Sequence, residues 1–379
     1  MKQWKCSQLI IGFVLSTLLL DACSFSVQVL PPAASSATAP SVAPAQTGIP
    51  RTPILPSPTP TLITISIDLV SWLEVYKTFD EGELVRSLAL SPDGSFLASA
   101  ADSAIRIRDV ASGDVITLLE GHTHIVWDVA FSPDGQMLAS VSSDKTARIW
   151  NWHTGDQLKS IDFPGEVVNV SFSPHGEVLA VGGVDEMQSQ IQHASIWIFA
   201  TDSWELLKKF PEYLSIGAMA YSPDNSTLIG GGTSRNVQAW STSVNDLLFT
   251  LNHAHQVTHA AISPDSSTAA TATCAAVVNT ECTEGSVWLW DLATGRLKKK
   301  LNGFSSPVQG VEFSPDGSFL IAAGRDGTLR VFATSDYEPW FEVTAPGEIS
   351  TMAFSPDGRL LATGSLDGEI QLWRVVYRP

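Results

Sequence analysis

The chain has 379 residues, 44% of them apolar, and a formal net charge of −17. That is ample apolar sequence for a core, and the acidic balance argues against binding nucleic acid or an anionic lipid surface through bulk electrostatics. The acidity reads instead as a solvated surface that keeps a β-rich protein in solution.

Met1 to Cys23 reads as a secretory leader. Lys2 and Lys5 form a positive start, and Leu9 to Leu20 is an uncharged, mostly apolar stretch of 12 residues, too short for an unassisted membrane span. Leu20-Asp21-Ala22-Cys23 resembles the bacterial lipobox, with Asp21 an unusual occupant of its place. The resemblance implies cleavage before Cys23 and a lipid-modified, palmitate-bearing cysteine. An ordinary signal peptide and an uncleaved anchor are the alternatives. Residues 23–60 then turn to Pro, Ala, Ser and Thr, with nine prolines between Pro31 and Pro60. Such a composition cannot bury enough apolar surface to fold and predicts a disordered tether, reaching ~3.1 Å per residue where it is extended.

The remainder, 61–379, is predicted to be one folded domain built from copies of a single unit. Ser-Pro-Asp-Gly or a close variant begins at Ser91, Ser132, Ser173, Ser222, Ser263, Ser314 and Ser355, at separations of 41, 41, 49, 41, 51 and 41 residues. Around the second copy, short runs rich in β-branched and aromatic residues (Ile125–Phe131, Gln136–Val141, Thr146–Trp150 and Asp156–Ile161) alternate with turn signals. Four short strands per unit at a fixed period of this length are the signature of a propeller. The same stretch resembles the WD-repeat family through Gly121-His122, Asp144 and Trp150, and through Trp290-Asp291 and Thr294-Gly295 further on. The resemblance covers roughly residues 71–379. It implies an all-β, seven-bladed propeller of four-stranded antiparallel blades.

The seventh copy runs out after its third strand, since only Arg374 to Pro379 follow Trp373. Trp72 to Phe79 sits where an outer strand would precede the first copy, so it is expected to complete blade seven and protect its edge. In the first copy Arg108 stands where Trp is expected. In the seventh, Gly347-Glu348 stands where Gly-His would.

Resemblance to the family implies that His122, Ser140, Asp144 and Trp150 form a buried structural hydrogen-bond chain, complete in blade two only. Read as a catalytic triad, His122, Ser140 and Asp144 fail on position, because the serine lies inside a strand. His253, His255 and His259 invite a metal hypothesis, but His253 matches the structural histidine and no acidic or cysteine partner is close in sequence, so no metal or cofactor is expected. Two insertions, Val184–His193 and the stretch holding Cys274 and Cys282, lengthen the b–c loops of blades three and five. In an exported protein the two cysteines, eight residues apart, suggest a disulfide that staples the hairpin, with free thiols as the alternative.

No repeat offers a convincing nucleophile–base pair or phosphate loop, so function is expected on a face of the ring. The family's recurrent contact position, five residues after the Gly-His histidine, falls here on Arg86, Trp127, Val168, Gly217, Thr258, Gln309 and Ser350. Trp127 and Arg86 are residue types that dominate interface hot spots; the alternative for Trp127 is packing between blades. The expectation is a monomeric, non-enzymatic, membrane-anchored scaffold in the cell envelope that binds a protein or peptide on this face. The alternatives are a soluble secreted form, an exported propeller enzyme (a hydrolase or lyase) with a site at the central channel, and a module resembling the TolB-type periplasmic propeller.

Overall fold

The computed structural model describes residues 73–375, apart from 189–190, 214–215, 233–234, 245 and 279–280. The predicted leader (1–22), Cys23, the tether (23–60) and the start of the predicted propeller, including Trp72, lie outside the described residues.

The repeated turn explains the repeated sheet. In Ser91–Gly94 the Ser91 hydroxyl donates to Asp93 Oδ1 at 2.6 Å and accepts from the Phe96 amide at 2.9 Å. Asp93 Oδ1 also accepts from the Ser95 amide at 3.0 Å. Gly94 takes the left-handed conformation, at φ 71°, that the turn requires. The same carboxylate–hydroxyl clasp recurs at Ser132, Ser222, Ser263, Ser314 and Ser355. Asn225 and Ser266, which replace glycine, hold the same positive φ of 59°. These turns join strand a to strand b in each unit, and two further turns complete a meander.

The result is seven separate four-stranded antiparallel sheets among the described residues. The innermost strand a of each is Val85–Leu90, Val126–Phe131, Val167–Phe172, Ile216–Tyr221, Val257–Ile262, Val308–Phe313 and Ile349–Phe354. Each blade buries its face against the next. In one cluster, for example, Ala98, Ile105 and Ile107 of blade one pack on Val126, Val129, Leu138 and Trp150 of blade two. Each fully buried Leu or Ile contributes about 1.5–3 kcal/mol, so packing between blades holds the ring.

Blade seven is completed by the start of the described chain. Leu73–Asp80 pairs antiparallel with Glu369–Val375, from Leu73↔Val375 to Asp80↔Glu369. The Glu81 amide extends the ladder to the Gly368 carbonyl at 2.9 Å. The same strand is tied to blade one, where Lys77 Nζ donates to the Val110 carbonyl at 3.1 Å.

The insertions of blades three and five are not loops. They continue strands b and c as long hairpins, Val178–Gln188 with Ile191–Ala200 and Thr268–Val278 with Glu281–Asp291. Pairing continues out to Gln188↔Ile191 and Val278↔Glu281, so the added backbone is satisfied by its own partner strand. Cys274 and Cys282 are joined by a disulfide within the second hairpin.

Candidate binding recess

Every blade carries a β-bulge at the same place. The a–b register shifts between the first and third residues of strand a in all seven sheets. The bulged second residue is left out of the ladder and its side chain is re-aimed. Those seven residues are Arg86, Trp127, Val168, Gly217, Thr258, Gln309 and Ser350, and all of them line one recess of about 650 Å³ on the ring axis.

They do not serve it equally. The Thr258 hydroxyl donates to the Val308 carbonyl of the next blade at 2.8 Å, and the Ser350 hydroxyl donates to the Val85 carbonyl of blade one. Both hydroxyls therefore stitch neighbouring blades together. At Gly217 a Cβ would fall 2.5 Å from the equivalent carbonyl, that of Val257, so the bulge there has room only for glycine. Trp127 is half-buried and lines the recess. Its indole N–H donates to Ser143 Oγ at 2.7 Å, and the Arg86 guanidinium lies 4.4 Å from its ring centroid. Partial burial of Arg86 lowers its pKa.

Deeper in the recess lie four polar side chains that sequence reasoning had not singled out as a set: Asp128, Asn169, His259 and Glu312. Asp128 bridges three blades, accepting from Ser87 Oγ at 2.7 Å and from the Val129 and Val170 amides, each at 2.9 Å. Burial pushes its pKa up to about 6 against those bonds. Glu312 has no such donors, and burial pushes it up to about 8, which keeps it protonated at neutral pH. Burial takes His259 down to about 4, leaving it neutral. The buried Asn169 Oδ1 and His259 Nδ1 have no protein partner among the described residues. The fifth residue of strand a held a sequence signal: it is Ala or Ser in six blades and Glu312 in the other.

The predicted structural chain of blade two has a definite proton order. His122 Nδ1 lies 2.8 Å from Asp144 Oδ2 and Nε2 lies 2.8 Å from Ser140 Oγ, which also accepts the Trp150 indole N–H at 2.8 Å. Every group is satisfied if neutral His122 carries its proton on Nδ1. Burial lowers the His122 pKa although Asp144 opposes it. Burial would raise Asp144, but hydrogen bonds from Thr146 and His122 outweigh it and hold the carboxyl at about 2. The geometry resembles a Ser–His–Asp triad, yet Ser140 is 0% exposed, so no substrate reaches its oxygen.

Other blades depart from this pattern. Blade five keeps three members, with His253 Nε2 2.8 Å from Thr271 Oγ1 and the Trp290 indole N–H at 3.0 Å from the same oxygen. His253 is thus placed in the blade and His259 in the recess, and among the described residues no three His, Cys, Asp or Glu side chains gather to hold a metal. In blade seven the Trp373 indole N–H donates to Thr363 Oγ1 at 2.9 Å. There the histidine's place, 18 residues before that hydroxyl as His122 is before Ser140, belongs to buried Ala345. Glu348, predicted for it, lies exposed next to strand a and pairs with Arg325 at 2.7 Å.

Blade one replaces the chain by an ionic one. Glu81 takes the histidine's place and accepts from Ser99 Oγ and from Arg108 Nε, both at 3.0 Å, while Arg106 Nη1 lies 3.0 Å from its second oxygen. The Arg108 guanidinium also sits 5.2 Å from the ring centroid of Phe79 in the closing strand.

Three segments of the chain, 113–151, 295–332 and 340–374, match the family described as WD domain, G-beta repeat, and residues 63–127 match the anaphase-promoting complex subunit 4 WD40 domain. An uncharacterised WD repeat-containing protein of Synechocystis is 34% identical over 32% of this chain and 35% of its own length. A target of rapamycin complex subunit of Schizosaccharomyces pombe is 27% identical over 53% of this chain and 65% of its own. The serine-threonine kinase receptor-associated protein of Dictyostelium discoideum is 27% identical over 63% of this chain and 91% of its own. The chain thus spans about a third of the first of these relatives and just under two thirds of the second.

Proposed function

We propose that this propeller, with its WD-repeat segments, is a non-enzymatic scaffold that binds a protein or peptide in the axial recess. In our reading it is held outside the cytoplasm by a lipidated Cys23. The observation that carries the binding role is the convergence of the seven bulged residues on one recess, with Trp127 and Arg86 stacked at its wall. An aromatic residue fixed through its indole N–H, with a guanidinium against it, offers contact area at little conformational cost. The similarity to subunits of complexes supports the same reading. Export rests on the leader-like start, the lipobox-like Leu20 to Cys23 and the Pro-rich stretch that follows.

Replacing Arg86 and Trp127 together with Ala is expected to abolish capture of a cross-linked partner while circular dichroism stays unchanged; undiminished capture would move the site off this face. Intact mass of the membrane fraction should show an acylated Cys23, and an unmodified soluble product would end the tether reading. One observation favours a second reading, a hydrolase or lyase at the channel: Asp128, His259 and Glu312 all line the recess. Turnover of a chromogenic ester or glycoside that vanishes in Glu312→Gln would replace the scaffold by that enzyme.

A further inference from the structure

The recess holds a cation with no ion-pair partner. Arg106 and Arg108 meet Glu81, Arg325 meets Glu348 and Arg330 meets Glu342. Arg86, by contrast, makes no ion pair and no hydrogen bond among the described residues, although it is half-buried. Its one specific contact is the ring of Trp127, and that ring is itself held by the Ser143 hydroxyl. A guanidinium with one face on an aromatic ring keeps its edge free, and that edge is a planar fork of N–H donors matched to a carboxylate.

We propose that Arg86, stacked on Trp127, anchors one side-chain carboxylate of a bound peptide, so that the partner carries an Asp or Glu within an otherwise uncharged, partly apolar segment. The proposal rests on the recess being the binding site and adds the chemistry that it selects. Three observations favour an anion there. The Asp128 carboxylate directs its oxygens to Ser87, Val129 and Val170 and forms no ion pair with Arg86. Glu312, kept protonated by its burial, adds no negative charge at neutral pH. Arg325 is balanced by Glu348 at the rim. No carboxylate of the recess therefore pairs directly with Arg86.

The rest of the molecule narrows the partner. A chain of net charge −17 repels a run of acidic residues at long range, which leaves a single carboxylate as the favourable case. Elsewhere the recess is lined by half-buried Leu84, Val168 and Met219, which suit apolar neighbours of that carboxylate.

The test uses the full chain and a positional-scanning library of octapeptides with acetylated and amidated ends. Phosphoserine and phosphotyrosine are included, and a parallel set has free C-termini. Enrichment of Asp or Glu at one position is expected. The selected peptide and its Glu→Gln or Asp→Asn counterpart are then titrated against the wild type, Arg86→Gln and Arg86→Lys, each shown to be folded by circular dichroism. The wild type should prefer the acidic peptide by about tenfold or more. Arg86→Gln should bind the two peptides equally, and Arg86→Lys should keep part of the preference. Equal weakening of both peptides by Arg86→Gln overturns the anchor, as does enrichment of phosphorylated or basic residues or binding only by free C-termini. A sequence preference that is lost in Trp127→Ala but shows no acidic position overturns the anchor and leaves the recess as the site. No preference at any position overturns both.

Discussion

Blade one offers a direct test of how its ionic cluster works, because it can be rewritten with the histidine and tryptophan of blade two. The Glu81 side chain is 0% exposed, that of Arg108 is 12% exposed and that of Arg106 is 30% exposed. Arg108→Trp alone leaves a buried carboxylate with only the Ser99 hydroxyl and the half-exposed Arg106. Glu81→His alone leaves the Arg108 guanidinium without its anion. Breaking a buried pair from one side costs about 3–5 kcal/mol; because Arg106 can still reach either the carboxylate or water, about 2–4 kcal/mol is expected for each single change. The double variant should bring together an imidazole, the Ser99 hydroxyl and an indole N–H in the blade-two arrangement, and lie within about 1 kcal/mol of wild type. The coupling between the two sites is then at least about 3 kcal/mol, at the top of the range for neighbouring residues. Urea unfolding at pH 7, followed by tryptophan fluorescence and by circular dichroism with coincident transitions, measures it. If the losses simply add, so that the double variant is the least stable of the set, Glu81 and Arg108 are not standing in for the histidine and tryptophan.

Three further outcomes follow from the same geometry. Deleting residues 73–79 bares the edge of Glu369–Val375 and should lower stability by several kcal/mol, about 2 of it from buried Leu73 alone; an unchanged urea midpoint would refute closure by this strand. Glu312, which shares the recess lining with His259, Arg86, Asp128 and Arg325, has its folded pKa raised by burial to about 8. The unfolded chain therefore holds the charge between that value and the ordinary carboxylate range. Wild-type stability contributed by this group should rise as pH falls through the window, and Glu312→Gln should gain about 1–3 kcal/mol near pH 8 and nothing near pH 4. A gain that persists at pH 4 would point to packing instead. Converting both Cys274 and Cys282 to Ser removes a staple worth about 2–3 kcal/mol for so short a loop. Hydrogen exchange should quicken in the blade-five hairpin while the other blades keep their protection; equal quickening around the ring would refute a local role.

The fold was largely legible because its punctuation is local. A serine that both donates to an aspartate and accepts an amide two to five residues away needs all its parts within one short motif, so the motif counts the blades. The seven bulged positions coincide with the contact positions expected from the family resemblance, although in blade seven the offset of five runs from Ala345 and not from Glu348. What the offset could not supply was the use of each side chain, since the hydroxyls of Thr258 and Ser350 turn toward carbonyls 50 and 265 residues away in sequence. The Glu81–Arg108 pair escaped notice for a similar reason: an acid and a base 27 residues apart carry no motif until two strands bring them together. Asp128 and Glu312 carry no motif in sequence, because only ring closure turns one face of strand a toward a shared axis. The shift from Glu348 to Ala345 in blade seven came from reading a glycine as a landmark when the distance to the strand-b hydroxyl was the better ruler.

The closing strand also fixes how the molecule answers a pull. Leu73 meets Val375, whose amide bonds the Arg359 carbonyl beside the last Ser-Pro-Asp-Gly turn, so Leu73 lies at the opposite end of the blade from the strand-a starts that line the recess. A load seated in the recess and opposed from the Leu73 side would run lengthwise along that strand. Its rungs would then share the strain in shear instead of opening one after another, and the seam between first and last sheets would behave as a latch that tension along its length does not readily unzip.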